Sequence, residues 1–202
     1  MKNNRRSFLK NLGIGSGALL AGPVLGLTKE ENMIANHQNA DGEELYPPEV
    51  FVKRSITTDF LVAGGGMAGV CAALAAARNG MKVVLIQNRS RLGGNASSEI
   101  RMHICGASQL NQVWRETGLL EEILLTEAAI NPQRCWEMLD YVIYDKILTD
   151  PNITLLFDTS LYEVAKNSNQ IESIKGYCSQ TEEIYEVRAK YFADCTGDGT
   201  LA

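Results

Sequence analysis

The sequence predicts an α/β domain with a mostly parallel sheet, flanking helices and an antiparallel three-strand meander. Three observations lead there. A short apolar run, Phe60–Ala63, enters Gly64-Gly65-Gly66-Met67-Ala68-Gly69 and then an alanine-rich stretch. A second apolar run, Lys82–Ile86, is followed by Gly93-Gly94. Further on, residues 161–166, 171–178 and 184–189 form strand-like segments separated by polar breaks, as hairpin-linked strands do.

At 202 residues the chain is long enough for one domain with a sizeable core. Its 45% hydrophobic and 21% charged content is that of a soluble globular protein. The net charge of −5 is spread along the chain with no basic stripe beyond residue 10, which argues against a nucleic-acid partner. The five cysteines, at 71, 105, 135, 178 and 195, form no C-x-x-C pair. Their spacing therefore supports neither a zinc knuckle nor an iron–sulfur cluster. Cys71 and Cys195 sit in apolar stretches and read as small buried hydrophobes.

Residues 1–27 read as a targeting segment. Asn4-Arg5-Arg6-Ser7-Phe8-Leu9-Lys10 looks like a twin-arginine export motif, and a Gly-rich apolar run to Leu27 follows it. That run is too short and glycine-rich for a stable membrane span, although no clear A-x-A cleavage site follows and an uncleaved tether is compatible with it. The expected partner is the twin-arginine machinery, and the expected location periplasmic or cell-envelope. Residues 28–55 are polar, lack periodicity and contain Pro47-Pro48, which reads as a linker. His37 falls there and reads as a solvated residue. The folded domain is expected over 56–202.

Phe60–Ala63 has the apolar pattern of a strand buried on both faces of a parallel sheet. The helix after it is expected from about Met67 to Asn79, closed by Gly80 as a left-handed cap. Lys82–Ile86 is the second strand. Asn111 to about Ala129 reads as a helix through Val113, Trp114, Leu119, Leu120, Ile123 and Leu124. Pro132 is expected to open another, stopped by Asp150-Pro151-Asn152. Ile153–Phe157 is the third strand. After the meander, Tyr191–Cys195 is expected as a separate buried strand running into Thr196-Gly197-Asp198-Gly199.

The glycines have separate tasks. Gly64 permits a tight turn, Gly66 lets backbone approach a pyrophosphate, and Gly69 lets the helix lie close to the sheet. Gly65, Met67 and Ala68 complete the turn and the first helical positions, where unpaired N–H groups and the helix dipole favour an anion. The acidic residue that normally holds the adenosine ribose after the second strand is replaced by Gln87, followed by Asn88. A glutamine still donates and accepts hydrogen bonds, so either Gln87 or Asn88 is the expected ribose contact.

The stretch from Asp59 to Gly94 resembles the FAD-dependent oxidoreductases of the glutathione-reductase-like, two-dinucleotide-binding-domain class. Asn95–His103 and Asp194–Gly199 resemble one family within it, whose relatives include heterodisulfide-reductase-like and fumarate-reductase-like flavoproteins. The resemblance spans roughly residues 56–202. It implies a Rossmann-like FAD-binding domain and FAD as cofactor; an iron–sulfur cluster occurs in some relatives. It places Gly93 and Gly94 under the pyrophosphate, with Arg91 in the same cofactor-binding turn, Asn95, Ser97 and Ser98 on the way to the flavin, and a backbone group near Leu161–Glu163, around Tyr162, against the adenine. Thr196, Gly197 and Asp198 would return the chain to the cofactor.

Near the flavin so implied, Arg101 could hold a carboxylate and His103 could exchange a proton; both also read as loop residues with structural hydrogen bonds. The resemblance implies more chain after the Thr-Gly turn, so the domain is expected to be C-terminally incomplete and to turn over poorly alone. The leading functional reading is the FAD-binding part of an exported oxidoreductase passing a hydride between an unidentified small organic substrate and flavin. The alternatives are an inactive nucleotide-binding remnant and an NAD-dependent dehydrogenase.

Overall fold

A computed structural model describes residues 51–105 and 117–201. The targeting segment, nearly all of the linker, and Val113 and Trp114 of the expected helix lie outside the described residues.

One six-stranded sheet organises the domain, in the order β3-β2-β1-β6-β5-β4. The strands are β1 (Val52–Ala63), β2 (Val83–Ile86), β3 (Ile153–Leu156), β4 (Thr159–Asn167), β5 (Gln170–Cys178) and β6 (Glu183–Asp194). The β1–β2, β2–β3 and β1–β6 pairs are parallel, while β4–β5 and β5–β6 are antiparallel. All four side chains of β2, Val-Val-Leu-Ile, are buried, as β-branched and aliphatic residues between two covered faces should be. Burying each contributes about 1.5–3 kcal/mol.

Two strands differ from expectation. β1 begins at Val52, four residues before the expected domain boundary, and residues 52–55 pair in parallel with residues 183–186. The third meander strand and the separate strand expected at 191–195 are one strand, β6, which runs beside β1 from Glu183 to Asp194. Lys190 does not interrupt it: β6 pairs with β1 on both sides of this residue, and its exposed ammonium reaches Asp59 on the neighbouring strand at 2.7 Å. Nor is its last part buried throughout: Tyr191 is 63% exposed.

Three helices pack together: α1 (Met67–Arg78), α2 (Gly118–Ile130) and α3 (Trp136–Leu148). Val70, Ala73, Leu74, Ile123, Leu139, Val142, Ile143 and Ile147 from them join Val62, Val83 and Leu85 of the sheet in one core. The meander supplies a second core, where Ile174 and Val187 meet Leu61, Ala63, Val84, Ile86 and Leu156. Alternating strand side chains face opposite ways, so Leu61 and Val62 serve different cores.

α1 ends at Arg78 with Gly80 at φ +87°, as expected. α2 starts later than expected, at Gly118, because Thr117 is extended and Gly118 has φ +68°. α3 starts at Trp136 rather than Pro132. The buried Asn131 side chain accepts from Cys135 N–H at 3.0 Å and donates to Cys135 C=O at 2.9 Å. That closes residues 131–135 into a turn, with Arg134 at φ +52°, and holds Pro132 outside the helix.

Candidate functional site

The first wall of the site is the turn between β1 and α1. Gly64 has φ +100°, and a Cβ there would stand 2.3 Å from the Cys195 carbonyl oxygen. Only glycine fits both the dihedral and the space. Gly66 caps α1 in an extended conformation with no side-chain cap, and its Cβ position faces open space. Gly69 is the opposite case: a Cβ there would lie 1.8 Å from Gly64 O. The helix start is thereby held against the turn. No acidic residue occupies its first turn, so the positive end of its dipole is free of a competing carboxylate.

The second wall is the turn after β2. Gly93 N–H donates to Gly65 O at 2.8 Å, and Gly66 and Gly93 form a parallel bridge. Gly93 and Gly94 have φ +100° and +58° and lead into a short 3₁₀ turn, Gly94–Ala96. The buried Ser97 hydroxyl donates to Gly94 O at 2.7 Å. Asp140 of α3 accepts from Ser98 N–H and from Arg91, both at 2.9 Å. Arg91 and Ser98 therefore brace the turn from outside.

The third wall comes from β4 and from the loop after β6. Thr159, Ser160 and Leu161 line it, with Cys195, Thr196, Asp198 and Thr200. Asp194 organises this loop: one carboxylate oxygen accepts from the Thr196 N–H at 3.0 Å and hydroxyl at 2.6 Å, and the other from Leu201 N–H at 2.7 Å. Desolvation pushes the Asp194 carboxyl up, but the hydrogen bonds from Thr196 and Leu201 outweigh it and hold it below the usual range. The neighbouring Cys195 thiol is raised by burial and by the charge of Asp194, which keeps it protonated at neutral pH.

These walls enclose a cleft of about 260 Å³, smaller than the roughly 300–1,000 Å³ of a pocket that takes a whole ligand. A larger open groove of about 650 Å³, between residues 169–172 and 188–192, contains neither glycine turn.

Of the residues expected from sequence, Gly64, Gly66, Gln87, Asn88, Gly94, Asn95, Thr196 and Asp198 line this cleft. Gly65, Gly69, Gly93, Arg91, Ser97 and Ser98 stand behind it through the contacts above. Met67 and Ala68 open α1, and Gly197, at φ +85°, turns the chain between Thr196 and Asp198. Gln87 lines the cleft, yet is only 5% exposed; its side chain accepts from Gly65 N–H and donates to Arg91 C=O, both at 2.9 Å.

Three expected residues are not brought to the cleft. Tyr162 is half-exposed and its neighbours Ser160 and Leu161 do the lining. Arg101 donates to Ser98 C=O and pairs with Glu137, both at 3.1 Å. The exposed His103 lies against the Trp136 ring, with centroids 5.0 Å apart. Arg89, Thr159, Ser160 and Thr200 also line the cleft, and no local sequence pattern marks them. The signal for the β4 pair is non-local: Thr159 N–H donates to Gln87 C=O, 3.0 Å away.

A family model described as FAD dependent oxidoreductase matches residues 59–202. Pseudooxynicotine dehydrogenase of a Pseudomonas species is 37% identical over 93 residues, covering 45% of this chain and 17% of its own. A polypeptide of the ferredoxin:CoB-CoM heterodisulfide reductase of Methanosarcina acetivorans is 26% identical over 149 residues, covering 73% of this chain and 14% of its own. The chain thus spans under a fifth of the length of these relatives. Among solved structures, adenylylsulfate reductase of Archaeoglobus fulgidus is similar at a TM-score of 0.47 and 17% identity. That match covers 77% of this chain and 34% of the other.

Proposed function

Because this chain belongs to the FAD dependent oxidoreductase family, we propose that its cleft holds the adenosine and pyrophosphate part of FAD in an enzyme that moves a hydride between a small organic substrate and the flavin. One observation carries the assignment: two glycine turns, bridged at Gly66 and Gly93, meet at the uncapped start of α1. Open space at the Gly66 Cβ position gives a phosphate a direct approach to backbone, and the helix terminus supplies donors and a favourable dipole. These features fit a dinucleotide phosphate. The volume of the cleft fits part of FAD rather than all of it.

Bound FAD supplies the two-electron chemistry. The residues of this chain bind and orient. Gly66 and the first turn of α1 would receive the pyrophosphate, Gly94 and Asn95 would lead toward the flavin, and Ser160 and Leu161 would border the adenine side. Thr196 and Asp198, held by the Asp194 clasp, would close the remaining wall. Arg101 is engaged by Glu137 and His103 lies outside the cleft, so neither is assigned a step.

The motif at Asn4–Lys10 supports export by the twin-arginine route, which carries folded, cofactor-loaded proteins, and hence a periplasmic or cell-envelope location. Replacing Arg5 and Arg6 by lysine should retain the protein in the cytoplasm on cell fractionation; unchanged export would overturn that assignment. For the cofactor, the decisive experiment is the visible spectrum of the purified full chain after incubation with FAD and removal of the excess. Retained oxidised-flavin bands are expected, whereas a colourless protein would refute the cleft assignment. Bleaching of those bands by an organic hydride donor without oxygen would support hydride transfer between an organic substrate and the flavin.

A further inference from the structure

Gln87 occupies the position after β2 where dinucleotide-binding folds commonly place an acid on the ribose. Its surroundings give it other work. The backbone N–H donates to Leu156 O at 2.9 Å and the C=O accepts from Thr159 N–H at 3.0 Å, tying it to β3 and to the start of β4. The side-chain oxygen accepts from Gly65 N–H, and the side-chain nitrogen donates to Arg91 O, both at 2.9 Å. The partners fix the amide's orientation, since an N–H only donates and a C=O only accepts. A Cβ on Gly65 would fall 3.0 Å from the Gln87 Cβ, so the two residues are packed as well as bonded.

Both glycine turns and the β4 side of the cleft therefore meet at this one residue. On the reading that the cleft holds FAD, we propose that Gln87 is a positioning residue that locks the two glycine turns and the β4 wall in register, and that the ribose contact passes to the exposed Asn88. The amide is required for this, because a carboxylate could accept from Gly65 but could not donate to Arg91 O. Gly65 N–H is correspondingly spent inside the protein rather than on the phosphate.

The test uses the full chain with and without FAD. In the FAD-free wild type, the Gly65 amide should exchange with solvent slowly; exchange at the rate of an exposed loop amide overturns the proposal. Gln87→Glu keeps the Gly65 bond but sets a carboxylate against Arg91 O. At pH 8 its FAD dissociation constant should rise at least about tenfold, as expected for an unsatisfied buried polar group. Toward pH 5 the loss should shrink, because the protonated acid regains a donor. A ribose ligand predicts the opposite sign, so equal or tighter FAD binding by Gln87→Glu overturns the proposal. Should that variant fail to fold, Gln87→Met serves, with faster Gly65 exchange expected and unchanged exchange refuting. Asn88→Ala should weaken FAD binding without moving the FAD-free thermal midpoint; unchanged binding removes the ribose contact from Asn88. If the wild type binds no FAD, the cleft assignment fails, while amide exchange and thermal midpoints still judge Gln87.

Discussion

Replacing Gly66 and Gly69 by alanine separates the work of binding a cofactor from the work of folding. At Gly66 the φ of −66° suits any residue, and the added methyl meets nothing within 4 Å. Stability without cofactor should therefore change by no more than about 0.5 kcal/mol. The same methyl stands where the phosphate would approach the backbone. Loss of one charge-assisted hydrogen bond, about 1.5–3 kcal/mol, should raise the FAD dissociation constant roughly tenfold to hundredfold. At Gly69 the methyl would lie 1.8 Å from Gly64 O, and both contacting groups belong to backbone-anchored elements. Relieving that contact requires α1 to retreat from the turn by more than about 1 Å; overpacking of this kind costs about 1–3 kcal/mol or more. Better helix propensity returns about 1 kcal/mol. Because a 1.8 Å backbone contact lies at or beyond the upper end of that range, the net loss is about 2 kcal/mol or more, a fall in Tm of at least about 4 °C for a chain of this size. Thermal unfolding of the FAD-free variants and titration with FAD read the two effects. Wild-type affinity in Gly66→Ala would refute pyrophosphate contact at Gly66, and an unchanged Tm in Gly69→Ala would refute the packing argument.

Three further changes test the supports of the site. Hydrogen bonds from Arg78 and Lys146 hold Glu122 at about 2, so its contribution is complete above the ordinary carboxylate value near 4.3 and is lost as pH falls through about 2. Glu122→Gln should be less stable than wild type above pH 5, by under about 1 kcal/mol because the group is solvent-screened, and the difference in Tm should disappear near pH 2. The Asp194 carboxyl is likewise depressed, so its clasp on Thr196 and Leu201 is present above its unfolded value near 3.9 and is lost as pH falls through the lower folded value. Asp194→Asn should weaken FAD binding by about fivefold at most at neutral pH, given the exposure of the loop, as read by fluorescence titration. Ile143 is fully buried, with its Cδ1 3.1 Å from the Cβ position of Gly93. Ile143→Ala should cost about 2–5 kcal/mol in denaturant unfolding and increase amide exchange at Gly93.

The glycine turns are legible in the sequence because their constraints are local. Gly64 and Gly93 need positive φ, and the apolar runs before them announce the strands they leave. The three strands of the meander are legible for the same reason, since polar breaks separate them. What is hidden depends on side-chain and strand partners that no local pattern announces, some of them far away in the chain. Nothing near Lys190 shows that β6 will run on through it beside β1, or that Val52–Ser55 will find residues 183–186. Asn131 conceals the start of α3, because its side chain closes a turn that Pro132 alone would suggest is helical. Gln87 is the sharpest case: its position marks it as a ribose contact, while its hydrogen bonds to Gly65 and Arg91 become visible only once both turns are in place.

The pairing of β1 with β6 also has a consequence in time. Residues 52–63 emerge from the ribosome well before residues 183–194, with which they pair along almost their whole length. The Gly64 turn can therefore rest on Cys195 only once synthesis has passed residue 195. Such non-local pairing makes folding slow relative to a helical domain. The early segments, β1 and α1, must wait with an unfilled sheet edge, the condition in which partly folded chains associate wrongly. Loading of the proposed cofactor therefore waits for β6 to close the sheet, not only for synthesis of the glycine turn.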